Sequence, residues 1–384
     1  MTSSRLPADL RANTLEEARR SVGEYIDLTV SNPTRCGLPY AQDTIRQALS
    51  EPSVLTYEAD AAGAWSARSA VARWLGHGVT AETIVLTAST SEAYGWLFKL
   101  LGDPGDDVLT PAPSYPLFEW LARLEGLRAR PVPSYFVHRW HLDLEALASA
   151  IQERTRAVLV VNPNNPTGHF LSRAEWDALT TLCAQRGLAL IVDEVFADYP
   201  LEAPPDHLPT VLASPAPPCP VFVLSGLSKV AALPQVKLGW IVAHGSSAEA
   251  LLEPLHFLAD QYLSVSASAQ AAASALLEEA PAMQRAIGDR VKANLQALDE
   301  ALVSHPQLSR LPVEGGWSVL LRRPALESDE LCALRLLQQA GVLVQPGQAF
   351  DLPPGHLVLS LLPPEWLFRL GLERMLHWVS VPQA

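Results

Sequence analysis

A lysine, a carboxylate and an amide, each at the end of an apolar run, are the side chains of this sequence with the most chemical consequence. Lys229 stands in Ser225-Gly226-Leu227-Ser228-Lys229, directly after Val221-Phe222-Val223-Leu224. Asp193 closes Leu190-Ile191-Val192, and Asn165 lies in Asn162-Pro163-Asn164-Asn165-Pro166-Thr167-Gly168. Short apolar runs of this kind read as strands, which puts all three residues at strand C-terminal ends. A pyridoxal 5'-phosphate (PLP) site needs such a trio. The amine can form a Schiff base, the carboxylate can keep the pyridine nitrogen protonated so that the ring withdraws electrons, and the amide can hydrogen-bond the ring's O3′.

The elements that must position these residues lie between positions 84 and 243, where apolar runs alternate with helical patterns. Strands are expected at 84–87, 107–110, 157–162, 188–193, 220–224 and 238–243, with helices at 92–101 and 172–186. Alternation of this type predicts βαβ units and a mostly parallel sheet, and the near-continuous Val/Leu/Ile content suits strands covered on both faces. Ser172-x-x-Glu175 is a capping-box pattern at a helix start. The proline-rich stretch 199–220 would pass for an interdomain linker. Because it separates Asp193 from Lys229, it reads instead as a long surface loop. Beyond residue 251 come Ala-rich helical stretches through 267–302, strand candidates at 316–321, 342–344 and 357–361, and a last helix near 365–377. The division expected is a large domain over 43–260 and a smaller α+β domain made of 1–42 and 261–384.

Bulk composition narrows the function classes. The 384 residues carry a net charge of −13 without a basic block, which argues against nucleic acid or an anionic membrane as partner. No apolar run approaches the roughly 20 residues of a membrane span, and residues 1–10 lack the apolar core of a signal peptide. Cys36, Cys183, Cys219 and Cys332 are scattered and read as buried thiols, which suits a reducing cytoplasm. The ten histidines show no metal-ligand spacing, so no metal is expected.

Taken with the sequel Leu233-Pro234-Gln235-Val236-Lys237-Leu238-Gly239-Trp240, the lysine segment resembles that of the class I/II aminotransferases, the fold-type I PLP enzymes. The resemblance extends from Asn32 to about Leu361. It implies an α/β fold with a large three-layer domain around a mostly parallel sheet, plus the smaller α+β domain. It also implies PLP as cofactor, and transfer of an amino group between an amino acid and a 2-oxo acid. Two alternatives remain open: another PLP reaction on the same fold, such as a lyase or decarboxylase, and a PLP-binding descendant without catalysis.

The resemblance assigns roles position by position. Lys229 is the covalent anchor and proton shuttle, Asp193 the partner of the pyridine nitrogen, kept ionised by burial and that partner, and Asn165 the O3′ contact. Ser89-Thr90-Ser91 form the phosphate cradle at a helix N-terminus, although Ser89-x-x-Glu92 is equally a capping box. Ser228 and Lys237 belong to the same cofactor shell, Lys237 standing where relatives carry an arginine. Tyr115 matches the aromatic that stacks on the ring, and reads otherwise as a core or turn aromatic. Tyr57 matches the tyrosine that reaches a partner subunit's phosphate, which implies a homodimer with shared sites. Gly315-Gly316-Trp317 and Pro346-Gly347 resemble turns that shape the substrate pocket.

Two departures stand out. Phe196 occupies the position of a tyrosine that donates to O3′, with Tyr199 three residues on. Val358 stands where an Arg-x-Ser strand would hold the substrate carboxylate, leaving Arg35, Arg322 or Arg323 as substitutes. Arg35 reads equally well as a solvated surface residue.

Overall fold

Apolar runs between residues 84 and 243 assemble into one eight-stranded sheet in the computed structural model, which describes residues 3–380. From edge to edge the strands are Ile84–Thr87, Gly239–His244, Val221–Gly226, Ala189–Asp193, Thr155–Val161, Asp107–Ala112, Arg128–Val137 and Arg139–Leu142. The five strands from Val221–Gly226 to Arg128–Val137 pair in parallel, while Gly239–His244 runs antiparallel between its neighbours.

Successive residues of the central strands enter opposite layers, as the period-2 geometry requires. Leu190, Val192, Val221 and Val223 join a core with helices Trp65–Leu75 and Arg173–Arg186. Ile191, Phe222 and Leu224 join a second core with helices Thr90–Leu101 and Leu252–Asp260. Both faces are therefore covered, which is why these strands carry no polar alternation. The Arg173–Arg186 helix begins with the complete Ser172/Glu175 capping box and ends on Gly187 in the left-handed conformation (φ 65°), where a side chain would be strained.

A four-stranded antiparallel sheet forms the smaller unit, in the order Ser309–Arg310, Ser318–Arg322, His356–Ser360, Gln345–Pro346. Ile26–Asp27 pairs in parallel with Val342–Leu343, so the N-terminal segment is built into this unit. Leu28, Val319, Leu321, Leu357, Leu359 and Phe368 share its core.

Helix Ala267–Leu302 belongs to both cores: Ala269 to Ala280 pack in the large-sheet cluster, Met283 to Leu298 in the small one. A cut at residue 260 therefore places in the small unit a segment whose buried alanines serve the large one.

Two sequence expectations need correction. The hairpin of Arg128–Val137 and Arg139–Leu142 was not among the expected strands, because Pro131 and Pro133 break its pattern. The 199–220 stretch is not simply a surface loop. Leu208, Val211 and Leu212 are buried in the core, and Thr210 and Val211 donate to the Glu194 carboxylate at 2.6 and 2.7 Å. All four cysteines are buried and unpaired.

Candidate active site

The parallel strands end on one side of the sheet, and the expected residues follow from those ends. Asp193 closes its own strand, Asn165 lies four residues beyond Val161, Tyr115 three beyond Ala112, and Lys229 three beyond Gly226. Gly239 pairs with both Thr87 and Gly226, which sets the Ser89–Ser91 segment beside the lysine segment. This junction is tight. A Cβ on Gly226 would meet the Gly239 Cα at 2.9 Å, and one on Gly239 would meet Thr87 Oγ1 at 3.0 Å and the Ser89 carbonyl carbon at 3.2 Å. Only glycine lets these backbones approach so closely.

Lys229 sits in the short helix Leu227–Val230, with the half-buried Ser228 beside it. Its Nζ lies 5.0 Å from the Trp317 ring centre and 5.5 Å from that of Phe196, within cation–π range. Burial lowers its pKa to about 8, against the opposing attraction of Asp193. Near neutral pH the amine therefore exchanges a proton readily.

Asp193 is buried and accepts two hydrogen bonds, from the Tyr94 hydroxyl at 2.6 Å and the Val195 N–H at 3.0 Å. Burial raises its pKa, and Tyr94, Val195 and Lys229 work against that rise. The expectation that burial would help keep this carboxylate ionised is thus corrected: burial opposes the charge, and donors and cations must sustain it. Tyr94 was missed in the sequence. It sits one turn into helix Thr90–Leu101, 99 residues from Asp193, and only the packing of that helix on the sheet brings them together.

Asn165 Oδ1 lies 3.4 Å from the Ser318 hydroxyl of the small unit. The neighbouring turn is pinned as well, the Gly315 N–H donating to the Gly168 carbonyl at 2.9 Å. The Tyr199 hydroxyl, three residues beyond Phe196, donates to the Lys229 backbone carbonyl at 2.6 Å. Both Phe196 and Tyr199 pack edge-on against Trp317.

Ser89 caps the Thr90–Leu101 helix, its Oγ accepting from the Glu92 N–H at 3.2 Å. Glu92 reaches back to the Ala88 N–H at 2.6 Å rather than to Ser89. The N–H groups of Thr90 and Ser91 have no intrahelical acceptor, and they form the positive end of the helix dipole. Lys237 is exposed, in a left-handed backbone conformation (φ 61°), with no carboxylate within ion-pair distance among the described residues. Tyr115 is half exposed, 6.4 Å ring to ring from Phe350, and Tyr57 is strongly exposed.

The carboxylate substitutes separate clearly. Arg323 is buried against Asp329 at 2.7 Å, and Arg322 bonds the Ser309 hydroxyl, so both are engaged elsewhere. Arg35 is exposed in the turn Pro33–Arg35 without an ion-pair partner among the described residues. Val358 lies in an apolar cluster with Trp140, Leu320 and Phe350.

The donor set suits PLP. An amine of lowered pKa, a buried carboxylate with its own donors, an amide, and free N–H groups at a helix start surround one end of the sheet. Residues 21–367 match the family model for aminotransferase class I and II. The chain belongs to that family. Its members are PLP-dependent transferases, and the bound cofactor supplies the electron sink for amino-group chemistry.

Among curated relatives, the chain is 32% identical to the arginine–pyruvate transaminase of Pseudomonas aeruginosa, over 80% of this chain and 78% of that one. It is 26% identical to the glutamate–pyruvate aminotransferase of Escherichia coli, over 97% and 95% of the two chains. Among solved structures, an Escherichia coli aminotransferase superposes with a TM-score of 0.83 at 26% identity, covering 100% of this chain and 99% of that one. A Thermus thermophilus aspartate aminotransferase mutant gives 0.83 at 26% identity, over 98% and 99%.

Proposed function

We propose that this protein transfers an amino group from an amino acid to a 2-oxo acid, with Lys229 as covalent anchor of PLP and as proton carrier. The observation that carries the reading is the setting of the half-buried Lys229, its amine beside the Phe196 and Trp317 rings and its pKa lowered to about 8. A base poised near working pH is suited to taking and returning a proton. With PLP bound, Asp193, held by Tyr94 and Val195, would keep the pyridine nitrogen protonated, Asn165 would hydrogen-bond the ring oxygen, and Tyr115 would cover the ring. Ser89, Thr90, Ser91, Ser228 and Lys237 surround the phosphate, and Arg35 closes on the substrate carboxylate. The two pyruvate-using relatives support a 2-oxo acid as acceptor.

Tyr57 serves the partner's phosphate in a homodimer. Its 75% exposure, beside Leu55 at 88%, supports a surface awaiting a partner. Four buried free thiols support a cytoplasmic location.

Borohydride reduction of the PLP-loaded protein followed by peptide mass spectrometry should place the label on Lys229. Lys229→Ala should lower turnover by about 10²–10⁴-fold or more, the scale of losing a general base, while the fold persists. A panel of amino acids without acceptor should release one equivalent of 2-oxo acid per site. Label on another lysine refutes the anchor, and release of carbon dioxide or ammonia in place of 2-oxo acid refutes transamination.

A further inference from the structure

The Asn162–Gly168 segment runs directly into His169, whose ring is buried and which none of the roles above uses. Each of its nitrogens faces a carboxylate. Nε2 lies 3.3 Å from Glu175 Oε1, and Nδ1 lies 3.5 Å from Glu314 Oε2. Neither approach is aligned as a hydrogen bond, and each becomes an ion pair only when the ring is protonated.

The two carboxylates are anchored in different parts of the molecule. Glu175 belongs to the first turn of helix Arg173–Arg186 and accepts from the Ser172 and Leu142 N–H groups. Glu314 accepts from the Phe170 N–H at 2.9 Å and immediately precedes the turn whose Gly315 bonds Gly168. Two and three residues further along come Gly316 and Trp317, and Trp317 is the ring beside Lys229 Nζ. Ser318 then meets Asn165. His169 thus stands where the Asn165 loop and the Trp317 turn come together.

The charges around it decide its state. Arg139 lies 2.8 Å from Glu314, but it also reaches Asp206 at 3.4 Å. His141 stands 6.4 Å away, ring to ring, and His207 packs on Phe170. With a neutral His169, Glu175 would have no cation within ion-pair distance among the described residues, and Glu314 would have only Arg139, which Asp206 also attracts. An imidazolium balances them, and in a poorly solvated site that balance matters more than it would in water.

We propose that His169 is a positioning residue that works as an imidazolium, clasping Glu175 and Glu314 so that the Gly315–Ser318 turn stays docked on the Asn165 loop and Trp317 stays beside Lys229. The clasp itself rests on geometry. Its effect on turnover rests on the reading of Lys229 as the reactive amine. Burial opposes the charge on His169, yet the two carboxylates outweigh it and its pKa lies above the ordinary 6.5. Burial likewise opposes ionisation of Glu175, but His169, Ser172 and Leu142 hold its carboxyl down at about 2. A raised histidine pKa gives a clasp that is complete below pH 6.5 and is lost as pH rises through the folded value.

The test has two arms. In the PLP-loaded protein carrying 13C-labelled histidine, the resonance absent from His169→Gln should titrate above 6.5, and Glu314→Gln should lower that midpoint. In the amino-acid half-reaction, the wild-type rate should fall on the alkaline side with the same midpoint. His169→Gln should lack that limb and run about ten- to a hundredfold slower at pH 6, the scale of a misplaced catalytic group, with KM little changed. A midpoint at or below 6.5, or an unaltered pH profile in His169→Gln, overturns the proposal. Should His169→Gln not fold, assignment through Glu314→Gln and the wild-type titration decides it. Loss of all half-reaction activity in the wild type would refute transamination, while the resonance titration would still report on the clasp.

Discussion

Tyr94 and Asp193 illustrate how much of the chemistry is set by single side chains. A carboxylate sealed from water drifts toward its neutral form, and a neutral acid cannot hold a pyridine nitrogen protonated. The 2.6 Å bond from Tyr94 works against that drift. Tyr94→Phe should therefore weaken PLP binding and stability by about 1.5–3 kcal/mol, the range for a hydrogen bond to a charged group, read by cofactor titration and urea unfolding. Unchanged affinity would mean that Val195 and Lys229 suffice. On the substrate side, Val358 cannot hold an anion, and Arg323 is spent on Asp329. Arg35→Ala should then cost about 2–5 kcal/mol in kcat/KM for amino acids, the range for truncating one partner of a buried charge pair. Amines without a carboxylate should react nearly as before. Equal loss for both substrate types would remove Arg35 from the site.

At the scale of elements, the site depends on strands ending in register and on glycines that let them meet. Gly226 and Gly239 face each other across the Val221–Gly226 and Gly239–His244 strands, and the lysine and the helix cap follow from that contact. Gly226→Ala would push a methyl group to within 2.9 Å of a backbone carbon that cannot rotate away. We expect about 1–3 kcal/mol of destabilisation from overpacking, seen in chemical denaturation, together with weaker cofactor retention. Full stability with normal PLP binding would show that the two strands can separate without disturbing Lys229. The Ser172 capping box works differently. It fixes a helix end and, through Glu175, supplies one of the two carboxylates around His169.

For the whole molecule, the long Ala267–Leu302 helix joins the two cores, so the small unit carrying Trp317 and Ser318 is tied to the sheet carrying Lys229 and Asn165. The proposed homodimer would be a further level of assembly, and Tyr57 is exposed as that proposal requires. If the site is shared between subunits, a Tyr57→Ala chain and a Lys229→Ala chain, each with low activity, should complement on mixing. Each hybrid dimer would then hold one intact site, restoring roughly a quarter of wild-type activity after random exchange. Sedimentation equilibrium should give twice the chain mass. A monomer, or mixtures no more active than their parts, would place Tyr57 outside the site.

The strand pattern, the strand ends and the motifs around Lys229, Asp193 and Asn165 were legible in the sequence because their signals are local. Continuous apolar runs demand burial on both faces, and turn residues mark where each run must stop. The capping residues Ser172 and Ser89 were legible for the same reason, since a cap acts within three residues. Contacts between distant segments were not. Nothing in the sequence pairs Tyr94 with Asp193, commits the Tyr199 hydroxyl to the Lys229 carbonyl, or sets His169 between Glu175 and Glu314. The proline-broken strand Arg128–Val137 and the buried part of the 199–220 stretch were also decided by what they pack against. Local sequence determines which backbone groups need partners and which faces must be covered. Which distant side chain meets a buried charge depends on how the layers stack, and only the tertiary structure decides that.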